Sequence, residues 1–308
     1  MENNGDKTMD SPAGKAGVKA WIEAMRLRTL PVSVAGVLAG GGCAAYYGSF
    51  RTLPFLICLL FAVMAQIVSN FANEYFDFKN GLDHKGREGF RRGVTEGDIS
   101  PKAMRNATFG LLAVTCLIGC SLIIWGGWWL LAIGVAIAIF AIAYSAGPWP
   151  LSHHGLGDIA VVIFFGIVPV TLTAYVQTGS LEMWPVALPI SLALGLMIDN
   201  VLIVNNYRDA DDDRAVGKRT TVVIFGRKAM GRVYFINGIL AVVLIEVATI
   251  ARVPLLWQAG ALLYANLHYM LWVKLTHLKG AELNPVLGQT AMLVLGTSVW
   301  LLLLLCCN

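Results

Sequence analysis

The chain has 308 residues, of which 57% are apolar and only 14% charged, and its mean hydropathy is +0.66. A soluble domain carries about 25% charged residues, so soluble, disordered and disulfide-scaffold classes are excluded and a polytopic helical membrane protein remains. The formal charge of +4 gains meaning only once the basic residues are placed between the spans.

Residues 1–16 are polar and lack the apolar core of a secretory signal. They are expected to form a mobile segment ahead of one integral-membrane domain over residues 17–308. Residues 17–30 put Val18, Trp21, Ile22 and Met25 on one helical face beside Arg26 and Arg28. That pattern suits a helix lying in the headgroup zone. Apolar stretches long enough to cross a bilayer, roughly 17–25 residues with frayed ends, then centre on nine regions. They are Val34–Tyr47, Leu53–Phe76, Ala107–Ile124, Trp128–Tyr144, Ile159–Val176, Val186–Val204, Val233–Ile250, Leu255–Val273 and Val286–Leu305. Glycines make the first the weakest, and the short interval Trp125–Trp128 predicts a tight hairpin.

With the sides alternating, 21 of the 23 Lys and Arg residues fall on one side. They occupy the amino-terminal segment and the loops after the second, sixth and eighth stretches, whereas Arg51 and Arg252 stand on the other side. The positive-inside rule puts the amino terminus and both long loops in the cytoplasm, at the cell membrane, and nine spans leave the carboxyl terminus outside. Cys43, Cys58, Cys116, Cys120, Cys306 and Cys307 lie in or at the ends of apolar stretches and form no C-x-x-C pair. They are read as packing residues rather than metal or redox ligands.

The two long loops each follow a span with an unusually polar end. The first reads Asn73-Glu-Tyr-Phe-Asp77-Phe-Lys-Asn-Gly-Leu-Asp83. Asn73 and Asp77 are four apart and share a helical face, and Gly81 is expected to end the helix and let Asp83 turn back toward them. The second holds Asn205, Asp209 and Asp213, a stripe drifting only about 40° per step. Carboxylates at a membrane boundary are costly unless they meet cations or water. Two facing carboxylate clusters suit Mg²⁺, which takes oxygen ligands and bridges to phosphates, and the adjoining Lys and Arg residues suit a diphosphate. Capping and surface charge would explain either stripe alone, but not two such sets on one side, each followed by a basic loop. Arg227, Lys228 and Arg232 are read as a solvated boundary.

These stretches resemble the two aspartate-rich motifs of the UbiA superfamily of intramembrane prenyltransferases. More narrowly, Arg28-Thr-Leu-Pro31, Arg92-Gly-Val-Thr-Glu-Gly97, Gly155-Leu-Gly-Asp158, Phe164-Phe-Gly166, Asn205-Asn-Tyr-Arg-Asp209, Gly217-Lys-Arg-Thr220 and Leu283-Asn-Pro-Val-Leu287 resemble the 1,4-dihydroxy-2-naphthoate polyprenyltransferase branch. Together they cover nearly the whole chain. Glu74 departs from the family pattern, standing where Asp is usual, and His153 and His154 lie where a Tyr is common. The His pair is read as loop solvation rather than a metal site.

The resemblance implies an all-α membrane protein of nine transmembrane helices around a central cavity, with the UbiA-type fold. It implies transfer of a polyprenyl group from polyprenyl diphosphate to 1,4-dihydroxy-2-naphthoate with loss of CO₂ and diphosphate, giving demethylmenaquinone on the way to menaquinone. By the same resemblance Asn73, Asp77, Asp209 and Asp213 hold Mg²⁺ and through it the diphosphate, with Asp83 and Asn205 as second members of those sets. Lys218, Arg219 and Arg92 are candidate diphosphate contacts. Tyr144 either faces the allylic cation or is a belt tyrosine. Arg28 either meets an anionic substrate group or anchors the first helix. Glu74 is expected to take a partial share in binding Mg²⁺ or diphosphate-bound water. Asp199 is a candidate support behind the site, and Glu246 has no assigned role. Other aromatic acceptors, 4-hydroxybenzoate, homogentisate or haem, remain as alternatives within the enzyme class. A transporter would place charged residues through the bilayer depth, whereas these carboxylates gather at one face.

Overall fold

The computed structural model describes residues 17–86, 89–147, 149–250, 253–254 and 259–307. The expected mobile segment 1–16 lies outside them. Among the described residues the chain is helical throughout, with one isolated bridge between His154 and Arg219.

The membrane helices follow the apolar stretches. A short helix α1 (Val18–Met25) leads into α2 (Leu30–Tyr46), followed by α3 (Thr52–Lys79), α4 (Pro101–Ser121) and α5 (Leu130–Ala143). Then come α6 (Gly157–Thr178), α7 (Trp184–Ala215), the short α8 (Thr221–Phe225), α9 (Arg227–Thr249), α10 (Ala259–His277) and α11 (Asn284–Cys306). Each of the nine expected spans falls on one of these helices. Only seven helical runs among the described residues are both long and apolar enough to cross a bilayer. Helix α5 has 14 residues, about 21 Å of helix against a hydrocarbon core of about 30 Å. Helix α10 has the length, but Asn266, His268, Lys274 and His277 dilute its apolar character.

Helix α7 is the hub. Of its apolar stretch 72% is enclosed by protein, against 11% for the stretch Pro101–Gly126, which faces outward. It packs against α2, α6, α9 and α11, and the main core cluster runs along it from Met183 to Ala210. Small residues set the closest approaches. A Cβ on Gly166 of α6 would collide with the backbone of Gly195 on α7, so both positions require glycine. Just before Pro169, the turn Val162–Ile167 widens to π geometry. Proline has no N–H to give the carbonyl of Phe165, four residues back, and the wider turn absorbs that loss.

The amino-terminal helix packs on α3 and on the turn Gly93–Glu96. Ala20 and Ala24 are its buried residues, and Trp21 sits edge-on to Phe71 of α3 at 5.6 Å. Val18 and Ile22 point outward. The helix stops at Arg26, whose φ of +50° is the only positive value on a non-glycine residue among those described.

Candidate active site

The polar end of α3 is a ladder of side chains one turn apart. Gln66 donates to Asn70 at 3.0 Å, and Asn70 donates to the Met25 carbonyl at 2.9 Å and to Thr29 Oγ1 at 3.1 Å. Asn73 accepts from Arg26 Nη2 at 2.8 Å and donates to Asp77 Oδ2 and Ser145 Oγ, both at 3.0 Å. The left-handed turn at Arg26 thus delivers its guanidinium to the first motif. Helix α3 ends at Lys79, Gly81 takes φ +70°, and the Leu82 N–H returns to the Asp77 carbonyl. Asp83 is thereby brought to Arg92, its Oδ2 3.6 Å from Arg92 Nε, while Arg92 Nη2 is 4.0 Å from Asp77. Asp77 Oδ1 is buried without a hydrogen-bond donor, 3.5 Å from His153 Nε2. His153 is therefore not a solvated loop residue. It is held beside the first motif because its carbonyl accepts from the Arg219 N–H at 3.2 Å.

The second motif lies on the last turns of α7. Arg208 grips Asp209 with both prongs, Nε to Oδ1 at 2.6 Å and Nη2 to Oδ2 at 2.8 Å. The same guanidinium donates to Asn205 and to Asn284 at the start of α11, each at 2.9 Å. Helix α7 ends before Gly217, at φ +76°, so that the Lys218 ammonium turns back to Asp213 Oδ1 at 3.8 Å. Lys218 also acts electrostatically on Asp77, as Arg26 does. The two motifs, far apart in sequence, share one electrostatic neighbourhood. Phe90 seals it, with Arg28 over its ring at 4.2 Å and Arg208 at 5.0 Å.

Between the motifs lies a cavity of about 490 Å³. Asn73, Arg92, Tyr144, Asn205, Asp209, Lys218 and Arg28 line it. Asp77, Asp83 and Asp213 do not reach its surface; each sits just beneath, against a cation. The Arg219 side chain is exposed and only its main chain belongs to the site. A second, apolar chamber of about 320 Å³ shares Gln66, Ser69 and Phe165 with the first. Tyr144 packs at 5.7 Å on Phe140, whose ring lines the apolar chamber and stacks on Phe164 at 3.9 Å. A cationic head space therefore adjoins a greasy one, with an aromatic step beside them.

Asparagine and aspartate oxygens match a hard divalent cation, and the undonated Asp77 Oδ1 is an atom such a cation would satisfy. Among the described residues no three His, Cys, Asp or Glu side chains gather tightly enough to hold one ion by themselves. A metal here would be shared between a few protein oxygens and a substrate phosphate.

Residues 33–285 match the UbiA prenyltransferase family. The chain belongs to that family. Two curated relatives are both named 1,4-dihydroxy-2-naphthoate octaprenyltransferase. One, from Haemophilus influenzae, is 32% identical over 90% of this chain and 92% of its own length. The other, from Mycobacterium tuberculosis, is 34% identical over 93% of this chain and 96% of its own. A solved UbiA homolog from Archaeoglobus fulgidus, bound to DMAPP and Mg²⁺, superposes with a TM-score of 0.64. That comparison spans 91% of this chain and 99% of the other at 14% identity, so it establishes the UbiA fold alone.

The expected partial role of Glu74 at the metal gives way to a different one. Glu74 is buried and its Oε1 accepts from the Val94 N–H at 2.9 Å, pinning the turn Gly93–Glu96 that carries Arg92. Glu74→Gln retains an acceptor oxygen and should keep most activity, while Glu74→Leu strands the N–H and should cost about 1–3 kcal/mol of stability. In both variants the Mg²⁺ titration midpoint should match the wild type; a shifted midpoint in Glu74→Gln would return Glu74 to the metal. Arg26, Arg208, His153 and Phe90 were not singled out from the sequence as site residues. For Arg208 the signal was present, since Arg sits inside the Asn-Asn-Tyr-Arg-Asp run at i,i+3 from Asn205.

Proposed function

We propose that this membrane enzyme transfers a polyprenyl group from polyprenyl diphosphate to 1,4-dihydroxy-2-naphthoate, releasing diphosphate and CO₂ and giving the prenylated naphthalene-1,4-diol, the reduced form of demethylmenaquinone. The observation that carries this reading is a space in two adjoining parts, one lined by cations and amides and the other apolar, which share Gln66, Ser69 and Phe165 on their walls. Such a space matches a ligand with a charged head and a hydrocarbon tail, and full-length relatives bear the naphthoate name.

Asn73, Asp77, Asp83, Asp209 and Asp213 would hold Mg²⁺, which when bound supplies charge to neutralise the departing diphosphate. Arg92 and Lys218 hold the diphosphate oxygens, and Arg26 holds Asn73 in the orientation that presents its amide. Arg28 and Asn205 line the cavity wall and would meet the acceptor's carboxylate. The Tyr144 ring, backed by Phe140, faces the allylic carbon and stabilises its positive charge through its π face. The apolar chamber takes the first isoprene units and keeps water from the cation. In the test, chelation with EDTA abolishes transfer by the purified enzyme and added Mg²⁺ restores it; an unchanged rate in EDTA would refute the metal assignment.

The active-site end is assigned to the cytoplasm, with the carboxyl end outside, from the 21 basic residues on that side. Its support is the path of α11, which starts beside Arg208 at Asn284 and ends near Gly42, at the far end of α2. Reporter fusions at the two ends should read opposite sides, and two fusions reading the same side would remove a span.

A further inference from the structure

Two carboxyl groups, Asp158 and Asp199, have no part in holding the diphosphate. Asp158 opens α6 and lines the polar cavity, where its Oδ1 accepts from Thr221 Oγ1 at 3.0 Å. Asp199 stands behind it on α7, only 4% exposed. Its Oδ2 accepts from Asn237 Nδ2 at 2.9 Å, and its Oδ1 meets no N–H or O–H donor. The first turn of α6 packs on α7, where Gly157, next to Asp158, faces Leu202, less than one turn from Asp199, so the two carboxyls are electrostatic neighbours. Among the described residues no Lys, Arg or His forms an ion pair with either of them. The groups beside the pair are Thr221 from α8, Asn237 from α9 and Tyr144 near Gly157, while Arg26, Arg28, Arg92, Arg208 and Lys218 stand elsewhere on the wall of the cavity that Asp158 lines. Neighbouring carboxyls with no cation bound to them disfavour carrying two negative charges, so the pair is suited to taking up and holding a proton.

The proposed reaction needs such a reservoir, because its protons cancel. Attack by the ring carbon bearing the carboxylate forms the new C–C bond and breaks the C–O bond to diphosphate. The neighbouring ring hydroxyl gives up its proton and becomes a ketone. The product of that step is a β-keto carboxylate. It loses CO₂, the electron pair of the broken bond becomes an enolate, and the enolate takes one proton back. One proton leaves and one returns, with no exchange required with bulk water.

We propose that Asp158 takes the proton of the acceptor hydroxyl during prenyl transfer and returns it after decarboxylation, with Asp199 as the positioning residue that shares it. This assignment rests on the naphthoate reading. It makes Asp158 a catalytic residue for a step that the diphosphate-binding motifs do not serve.

The experiment compares wild type, Asp158→Asn, Asp158→Glu and Asp199→Asn between pH 7 and 9, with naphthoate and a polyprenyl diphosphate, scoring product and CO₂. Removing a general base typically costs about 10²–10⁴-fold in rate, and Asp158→Asn should fall within that range at pH 7. Its rate should then climb about tenfold per pH unit, because a phenol with pKa near 10 ionises unaided as pH rises. Asp158→Glu should recover much of the rate. Asp199→Asn should lower kcat while leaving the KM for both substrates near wild type. Binding of the prenyl diphosphate by Asp158→Asn should be unchanged, which separates lost chemistry from lost fold. An Asp158→Asn rate equal to wild type, a deficit that stays constant with pH, or lost diphosphate binding would overturn the assignment. A wild-type reaction that yields no prenylated naphthoate would instead overturn the functional reading, and this assignment with it.

Discussion

Asp77→Asn and Asp209→Asn should each lower prenyl transfer by about a thousandfold, comparable to losing a principal electrostatic contact in an active site. Asparagine keeps the size and an acceptor oxygen at both positions, so the change isolates charge. At Asp77 the lost charge is the one that Arg92, Lys218 and Arg26 surround. Without it those cations repel one another and the divalent ion loses a ligand. For Asp77→Asn, expression and thermal stability should fall less than activity does, because Asp77 lies at the end of α3, whereas Asp209→Asn should also lose stability, since it leaves buried Arg208 without its anion. The check is a Mg²⁺ titration of each purified variant beside wild type. An Asp77→Asn variant with wild-type rate and Mg²⁺ midpoint would remove Asp77 from the metal set.

Arg208→Met should be the most destabilising single change at the site. Arg208 is buried and satisfies Asp209, Asn205 and Asn284 at once, so its loss leaves a buried carboxylate without its cation. Breaking a buried pair by removing one partner costs about 3–5 kcal/mol. Arg208→Lys should rescue little, because an ammonium cannot reproduce the two-pronged grip on Asp209 or reach three partners together. The readout is the unfolding midpoint of detergent-solubilised protein, with and without bound prenyl diphosphate. An Arg208→Lys midpoint within about 1 °C of wild type would show that the fork geometry contributes little.

Much of this was legible in the sequence because it depends on period and spacing. Apolar stretches fixed where helices run, and the four-residue spacing of Asn73 with Asp77, and of Asn205 with Asp209, placed each pair on one face. Gly81 and Gly217 marked the turns that bring Asp83 and Lys218 back, since both take the left-handed conformation that favours glycine. Long-range partnership left no such mark. Nothing near Glu74 announces the Val94 N–H, and nothing near His153 announces Asp77, because both contacts depend on how loops fold over the helix ends. The Asp158–Asp199 pair is hidden for the same reason, joining the start of α6 to the middle of α7. Of the nine expected spans, all of which fall on helices, two lie below the length or hydropathy expected of a crossing helix among the described residues. Helix α5 is apolar but short, and α10 is long but diluted by polar residues.

The most direct test of the central claim offers the purified enzyme, with Mg²⁺ and a polyprenyl diphosphate, two acceptors side by side. These are 1,4-dihydroxy-2-naphthoate labelled in its carboxyl carbon and 4-hydroxybenzoate labelled in the same way. The proposed chemistry predicts prenylated naphthol product and labelled CO₂ in equal amounts from the first, and little of either from the second. Prenylated hydroxybenzoate that keeps its carboxyl label, with no CO₂ released from the naphthoate, would contradict it.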